Sequence, residues 1–107
     1  MLTPPFAITE HPAEPGVARL RVHGELDLEA ASNLEGAVAV ARRAPGVRAV
    51  ILDLTSLTFL DAAGVAGVVR AALAATAAGV QLRTENATGI VCRVLDITGV
   101  GEWLHSR

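Results

Sequence analysis

The run Ala49-Val50-Ile51-Leu52-Asp53-Leu54 constrains the fold more than any other segment of this 107-residue chain. It is short, almost continuously apolar and rich in β-branched residues, which is typical of a central strand covered on both faces. Helical patterns precede and follow it. Strands that alternate with helices pair in parallel through right-handed crossovers. The run therefore predicts an α/β fold with a mixed sheet at its centre.

Further segments have the character of strands. Val17–Val22 alternates apolar and polar residues, as a strand with one face on a core does. Phe6–Glu10 is a shorter candidate, and the proline-containing turn from His11 to Gly16 predicts a hairpin between these two segments. Val80–Arg83 is a candidate near the other end of the chain. Together with the central run, these segments predict a sheet of about four strands.

Helical spacing of apolar residues predicts a first helix after Asp27, which is its expected N-cap, and Pro45-Gly46 follows its end. A second helix is predicted from Asp61 to about Ala78, with Gly79 as its stop. A short third helix is predicted from about Gly89 to Leu95.

Two segments are predicted to form neither a strand nor a helix. Thr55–Leu60 is interpreted as a connection, and the tail from Ile97 to Arg107 is assigned no element. The predicted order is therefore β-β-α-β-α-β-α, with three or so helices packed on the sheet.

Composition limits the kind of protein this can be. Apolar residues make up 51% of the chain and charged residues 19%, which predicts one folded domain over residues 1–107. The net charge of −2 gives no electrostatic reason to bind nucleic acid or an anionic membrane. The single cysteine, Cys92, fits a reducing compartment, and no segment is apolar enough to be read as a transmembrane helix. We expect a cytoplasmic protein.

The common catalytic and cofactor patterns are missing from the sequence. The three histidines have no ligand spacing, and a chain without lysine excludes a P-loop. Glu25 and Asp27 are close in sequence, but no histidine or nucleophile accompanies them. Cys92 is interpreted as a small buried residue. We therefore expect neither an enzyme nor a cofactor or metal.

Three motifs occur in order along the chain. They are Gly24-Glu25-Leu26-Asp27, the stretch from Leu52-Asp53-Leu54 through Phe59-Leu60-Asp61-Ala62-Ala63-Gly64-Val65, and Leu95-Asp96-Ile97-Thr98-Gly99-Val100. In this combination the chain resembles the STAS domain, and in particular the bacterial anti-sigma factor antagonists. The resemblance extends from about Val17 to Trp103 and implies a STAS-like mixed sheet with helices packed on it.

The resemblance also implies a switch. In that family a serine or threonine follows the aspartate that Asp61 matches, and a kinase-like anti-sigma factor phosphorylates it. Here the matching residue is Ala62 and the next is Ala63, so neither position carries a hydroxyl. Thr55, Ser56 and Thr58 are the nearest alternatives. Either Ala62 keeps the domain in its partner-binding state, or the domain has left kinase control and uses this surface for another partner.

The same resemblance implies a protein-binding surface around the start of the second helix. The same residues also have purely structural interpretations. These are capping for Asp27 and Asp61, close packing for Gly64, and burial for Val65, Val68 and Val69. The expected function is that of a non-enzymatic anti-sigma factor antagonist. The alternatives are an accessory subunit that contacts the ATPase of a lipid-transporting ABC system, and a scaffold domain of a stress-signalling complex. The residues expected to bind the partner are Leu26, Asp27, Thr58, Asp61, Ala62, Ala63, Gly64, Val65 and Val68.

Overall fold

Strands and helices alternate along the chain in a computed structural model, which describes residues 5–106. The predicted fold class is confirmed, since one mixed sheet carries the helices. The elements are β1 (Ala7–His11), β2 (Val17–Leu26), α1 (Leu28–Arg42), β3 (Ala49–Asp53), β4 (Leu57–Leu60), α2 (Ala62–Ala77), β5 (Gln81–Glu85), α3 (Gly89–Thr98) and α4 (Val100–His105).

The sheet has the order β1-β2-β3-β5, and β1 and β2 form the predicted hairpin with Thr9 opposite Arg21. The strand pairs formed by β2, β3, β4 and β5 are parallel. Arg21 of β2 pairs with Asp53 at the end of β3, and Gly24, further along β2, pairs with Leu57 at the start of β4. β3 therefore pairs with the first part of β2, and β4 pairs with the last part of the same strand.

The structure corrects the prediction at two places. Thr55–Leu60 is not only a connection, because its second part is β4. The strand was missed because it is only four residues long and its buried residues, Leu57 and Leu60, stand three apart rather than two. In the tail, Gly99 ends α3 in a left-handed conformation (φ 76°) and α4 follows it. Six residues with a glycine among them are too short to show helical spacing.

The core lies between the sheet and the helices α1 and α2, which pack on each other. The alternation of β2 places Ala18, Leu20, Val22 and Leu26 toward these helices. Gly67 lets the two helices approach closely, because a Cβ at this position would stand 2.8 Å from the Cβ of Ala31. Among residues 5–106, no helix has both the length and the apolar character needed to cross a membrane.

Candidate functional site

Two helices begin side by side at one edge of the sheet. Leu26 and Leu60, the last residues of β2 and β4, are paired, and an aspartate follows each of them. Asp27 Oδ1 accepts a hydrogen bond from the Ala30 N–H at 3.0 Å, and Asp61 Oδ1 accepts one from the Gly64 N–H at 2.8 Å. Both aspartates are thus N-caps, as the sequence predicts. Because parallel strands end at the same edge, the starts of α1 and α2 also lie there.

The backbone of α2 lies directly against the end of β2. A Cβ at Gly64 would overlap the carbonyl oxygen of Leu26, and it would stand 2.9 Å from Cδ1 of Leu60. The Asp61 N–H donates to the same Leu26 carbonyl at 3.4 Å. The close-packing role predicted for Gly64 is therefore observed, and it fixes the position of the α2 N-terminus against β2.

The residues that open the two helices are apolar and face solvent. Leu28, the first residue of α1, is 75% exposed, and Ala62, the first residue of α2, is also exposed. Asp27 and Asp61 beside them are half-buried. We call this surface, formed by Asp27, Leu28, Asp61, Ala62 and Ala63, the twin-helix edge. It combines methyl and isobutyl groups with two carboxylates that already serve as caps.

The residues predicted to bind a partner divide into two layers. Thr58 and Ala62 are exposed, and Asp27, Asp61 and Ala63 are half-buried, so these five present surface to solvent. The other four are buried and support the edge from within: Leu26, Gly64, Val65 and Val68. For Val65 and Val68, the structure therefore shows the burial alternative rather than an exposed patch. Direct contact with a partner stays a prediction for the outer layer.

The hydroxyl groups near Ala62 are engaged in the fold. The Thr58 hydroxyl donates to the Gly24 carbonyl at 3.1 Å, which ties β4 to β2. The Thr55 hydroxyl donates to Asp53 Oδ1 at 2.6 Å. Ser56 is half-buried. The Thr55 and Thr58 hydroxyls therefore already serve as donors within the fold.

A second polar cluster surrounds Asp53, which is 4% exposed at the end of β3. Its Oδ1 accepts hydrogen bonds from the Thr55 N–H (3.0 Å), the Thr55 hydroxyl and the Asn86 amide (3.1 Å). Arg21 lies 3.3 Å from Oδ2. Burial alone raises the pKa of Asp53, but the Thr55 and Asn86 hydrogen bonds and the Arg21 charge outweigh it and hold the pKa far below its usual range.

The amino-acid sequence alone does not predict this cluster. Its members come from three separated places in the chain, and the only local signal is a charged residue within an apolar run. Arg19 and Glu85 form an ion pair of 2.6 Å that spans β3, and the hydrogen bond to Glu85 raises the pKa of Arg19. These contacts join the parallel strands β2, β3 and β5.

Comparison with known proteins assigns the family. The chain belongs to the STAS domain family, because the family model described as "Mlab, STAS domain" matches residues 10–105. The fold resembles the anti-sigma factor antagonist SpoIIAA in its unphosphorylated form, with 24% identity, a TM-score of 0.74 and coverage of 91% of this chain and 84% of that one. No curated protein matched.

Other solved structures share the fold at similar identity. An anti-sigma factor antagonist from Mycobacterium paratuberculosis has 24% identity and a TM-score of 0.72, with 94% of this chain and 86% of that one covered. The murine anion transporter Slc26a9 in its inward-facing state has 19% identity and a TM-score of 0.73. That match covers 85% of this chain but 15% of the transporter. The same fold therefore occurs both in short antagonists and within a large transporter.

Proposed function

We propose that this chain is a non-enzymatic regulatory domain of the anti-sigma factor antagonist type, which binds a kinase-like anti-sigma factor and thereby releases a sigma factor. The observation that carries the proposal is the twin-helix edge, where Ala62 is exposed at the start of α2. The resemblance to such antagonists implies that this is the position of their phosphoacceptor. The domain then acts in the cytoplasm as one unit over residues 1–107, with a protein as its partner.

In this proposal binding is not controlled by phosphorylation at Ala62. A phosphate at the start of a helix is well tolerated by the helix itself, because free N–H groups and the helix dipole favour negative charge there. Its effect falls on the docked partner, which meets added charge where it had met a methyl group. With alanine at positions 62 and 63, the methyl surface is permanent.

Substitutions at the twin-helix edge test the binding surface. Ala62→Glu introduces a side chain that the start of a helix accepts, so the domain stays folded while the partner meets a buried charge. We expect the affinity for a kinase-like anti-sigma factor of the same genome to fall more than about tenfold in calorimetry. Ala74→Glu, at an exposed position of the same helix, is the matched control and leaves the affinity unchanged. Equal affinities for both variants would contradict the proposed surface.

Restoring the hydroxyl tests the missing switch. With the anti-sigma factor and ATP, Ala62→Ser is expected to incorporate phosphate, whereas the native chain is expected to incorporate none. The phosphorylated variant should then lose its affinity for the partner. Phosphate on the native chain, mapped by mass spectrometry to Thr55, Ser56 or Thr58, would show that another hydroxyl has taken over the role.

A second candidate function has its own support. The Slc26a9 match shows that this fold forms part of a transporter, and the missing hydroxyl is no obstacle to such a role. The chain would then be an accessory subunit that contacts the ATPase of a lipid-transporting ABC system, or a scaffold in a stress-signalling complex. Calorimetry with the purified ATPase subunit distinguishes the transport role from the antagonist role. Binding to the ATPase subunit and not to an anti-sigma factor would select the transport role.

A further inference from the structure

A cleft of about 400 Å³ lies at the carboxyl end of β5, and its lining shares no residue with the twin-helix edge. Its walls come from the end of β5 and from α3 and α4. Clefts outside the carboxyl ends of parallel strands are common ligand sites in α/β folds, and this volume falls in the range of small-molecule sites.

The cleft carries an excess of negative charge. Three carboxylate residues line it, Glu85 from the strand, Asp96 from α3 and Glu102 from α4. Glu85 is paired with Arg19 at 2.6 Å, whereas no ion pair is formed by Asp96 or Glu102 among the described residues. His105 is the single basic side chain in the lining. A positively charged ligand would therefore be attracted.

Thr84 is an independent sign of a ligand. It lies on the buried side of β5, is 9% exposed and lines the cleft. Within residues 5–106 its hydroxyl forms no hydrogen bond. Every fully buried side-chain nitrogen or oxygen in that part of the chain has a partner, so this hydroxyl keeps its access to the cleft. A hydroxyl on a largely buried residue that lines the cleft and has no protein partner is available to accept a hydrogen bond from a ligand.

The arrangement favours an organic cation over a metal ion. In the described residues, no three side chains of the histidine, cysteine, aspartate and glutamate types are placed to hold a metal. The cleft is large enough for a longer ligand whose donors reach separate acceptors. Leu95 supplies an apolar wall for a methylene stem, and the Cys92 thiol beside it donates to Asp96 Oδ2 at 3.8 Å.

We propose that this cleft binds a guanidinium or primary ammonium group on an aliphatic stem. The cationic group would lie between Asp96 and Glu102 and donate to the Thr84 hydroxyl. Such a group occurs both in free amines and in arginine or lysine side chains of a partner. This site is independent of the twin-helix edge, so the proposed function can fail without affecting it.

The test is a titration of the ¹⁵N-labelled, full-length chain, observed through its backbone amide resonances. The probes are agmatine, as a free cation, and a blocked Gly-Arg-Gly peptide, as a side chain in a partner. A blocked Gly-citrulline-Gly peptide, which replaces the guanidinium group of arginine with a neutral urea on the same stem, is the matched control ligand. We expect saturable shifts of Thr84, Asn86 and Gly101 with agmatine, with the peptide or with both, and weaker binding of the control.

Variants connect the binding to the cleft. Thr84→Val removes the hydroxyl at nearly constant shape, and Glu102→Gln removes one exposed charge, so both variants should fold. Each is expected to weaken binding of the probe about fivefold. Glu29→Gln, the same chemical change at the start of α1, is expected to leave it unchanged. The proposal would be overturned if neither probe showed saturable binding. It would also be overturned if the Glu102→Gln and Glu29→Gln variants bound the probe with equal affinity.

Discussion

At the scale of single residues, the carboxylate of Asp53 connects parts of the chain that no local sequence motif links. Its carboxylate accepts from Thr55 on the following turn and from Asn86 beyond β5, and it faces Arg21 on β2. A charge buried to this extent is stable only when its oxygens are fully bonded. Asp53 therefore ties the end of β3 to the middle of β2 and to the segment that follows β5.

Replacement of Asp53 by asparagine tests this role. The amide cannot accept the same set of hydrogen bonds and leaves Arg21 without its partner. We expect the free energy of unfolding at pH 7 to fall by about 2 kcal/mol, as measured by urea denaturation. Glu10→Gln, at an exposed position of β1, should change it by less than about 0.5 kcal/mol.

The same residue predicts a dependence of stability on pH. Folding lowers the pKa of Asp53, so its stabilising contribution is present above the unfolded value of about 4 and is lost progressively as the pH falls below it. Urea midpoints between pH 7 and pH 2 should therefore fall less steeply for Asp53→Asn than for the native chain. Parallel curves would show that Asp53 contributes nothing to the acid sensitivity.

Replacement of two helical glycines by alanine is expected to change the free energy of unfolding in opposite directions. Gly64→Ala drives a Cβ into the Leu26 carbonyl and should lower the free energy of unfolding by about 2 kcal/mol. Gly36→Ala, in α1 where a Cβ meets no atom within 4 Å, should raise it by about 0.5 to 1 kcal/mol. Urea denaturation of both variants measures the difference. A neutral Gly64→Ala would mean that α2 can move away from β2 at little cost.

At the scale of elements, the two caps can be separated from any role in binding. Asp27→Ala removes the bond to the Ala30 N–H and should cost about 1 kcal/mol of stability, whereas asparagine keeps a capping oxygen and should cost much less. Thermal denaturation followed by circular dichroism compares the variants. If Asp27→Asn keeps its stability but loses affinity for the partner, the charge contributes to binding beyond its role as a cap.

The elements that the sequence predicts well are those with a strong local pattern. The apolar run at β3 and the Asp–helix starts at positions 27 and 61 are visible because each signal lies within a few residues. β4 was missed because its pairing with Gly24 and Leu26 depends on residues more than thirty positions away. For Val65 and Val68 the sequence leaves both burial and contact with a partner open, since α2 is apolar on most sides and only the fold decides which side faces inward.

At the scale of the whole molecule, both proposed sites lie at the end of the sheet where the parallel strands have their carboxyl ends. The twin-helix edge follows the carboxyl ends of β2 and β4, and the acidic cleft follows the carboxyl end of β5. The Asp53 cluster lies between them, at the end of β3. The opposite ends of the strands carry turns such as Pro45-Gly46. Both proposed sites are thus located where parallel strands end, and the remaining structure supports this end of the sheet.

The chain is expected to unfold as one cooperative unit, although α4 is short and lies at the end of the described residues. Leu104 is buried in the common core and Trp103 packs against that core, which couples the tail to the sheet. Since Trp103 is the one tryptophan of the chain, its fluorescence reports on α4, while far-ultraviolet circular dichroism reports on all helices. The two urea transitions should coincide, as they do for small two-state domains. A fluorescence transition at lower urea would instead show that α4 detaches first, and one wall of the acidic cleft would then open independently of the fold.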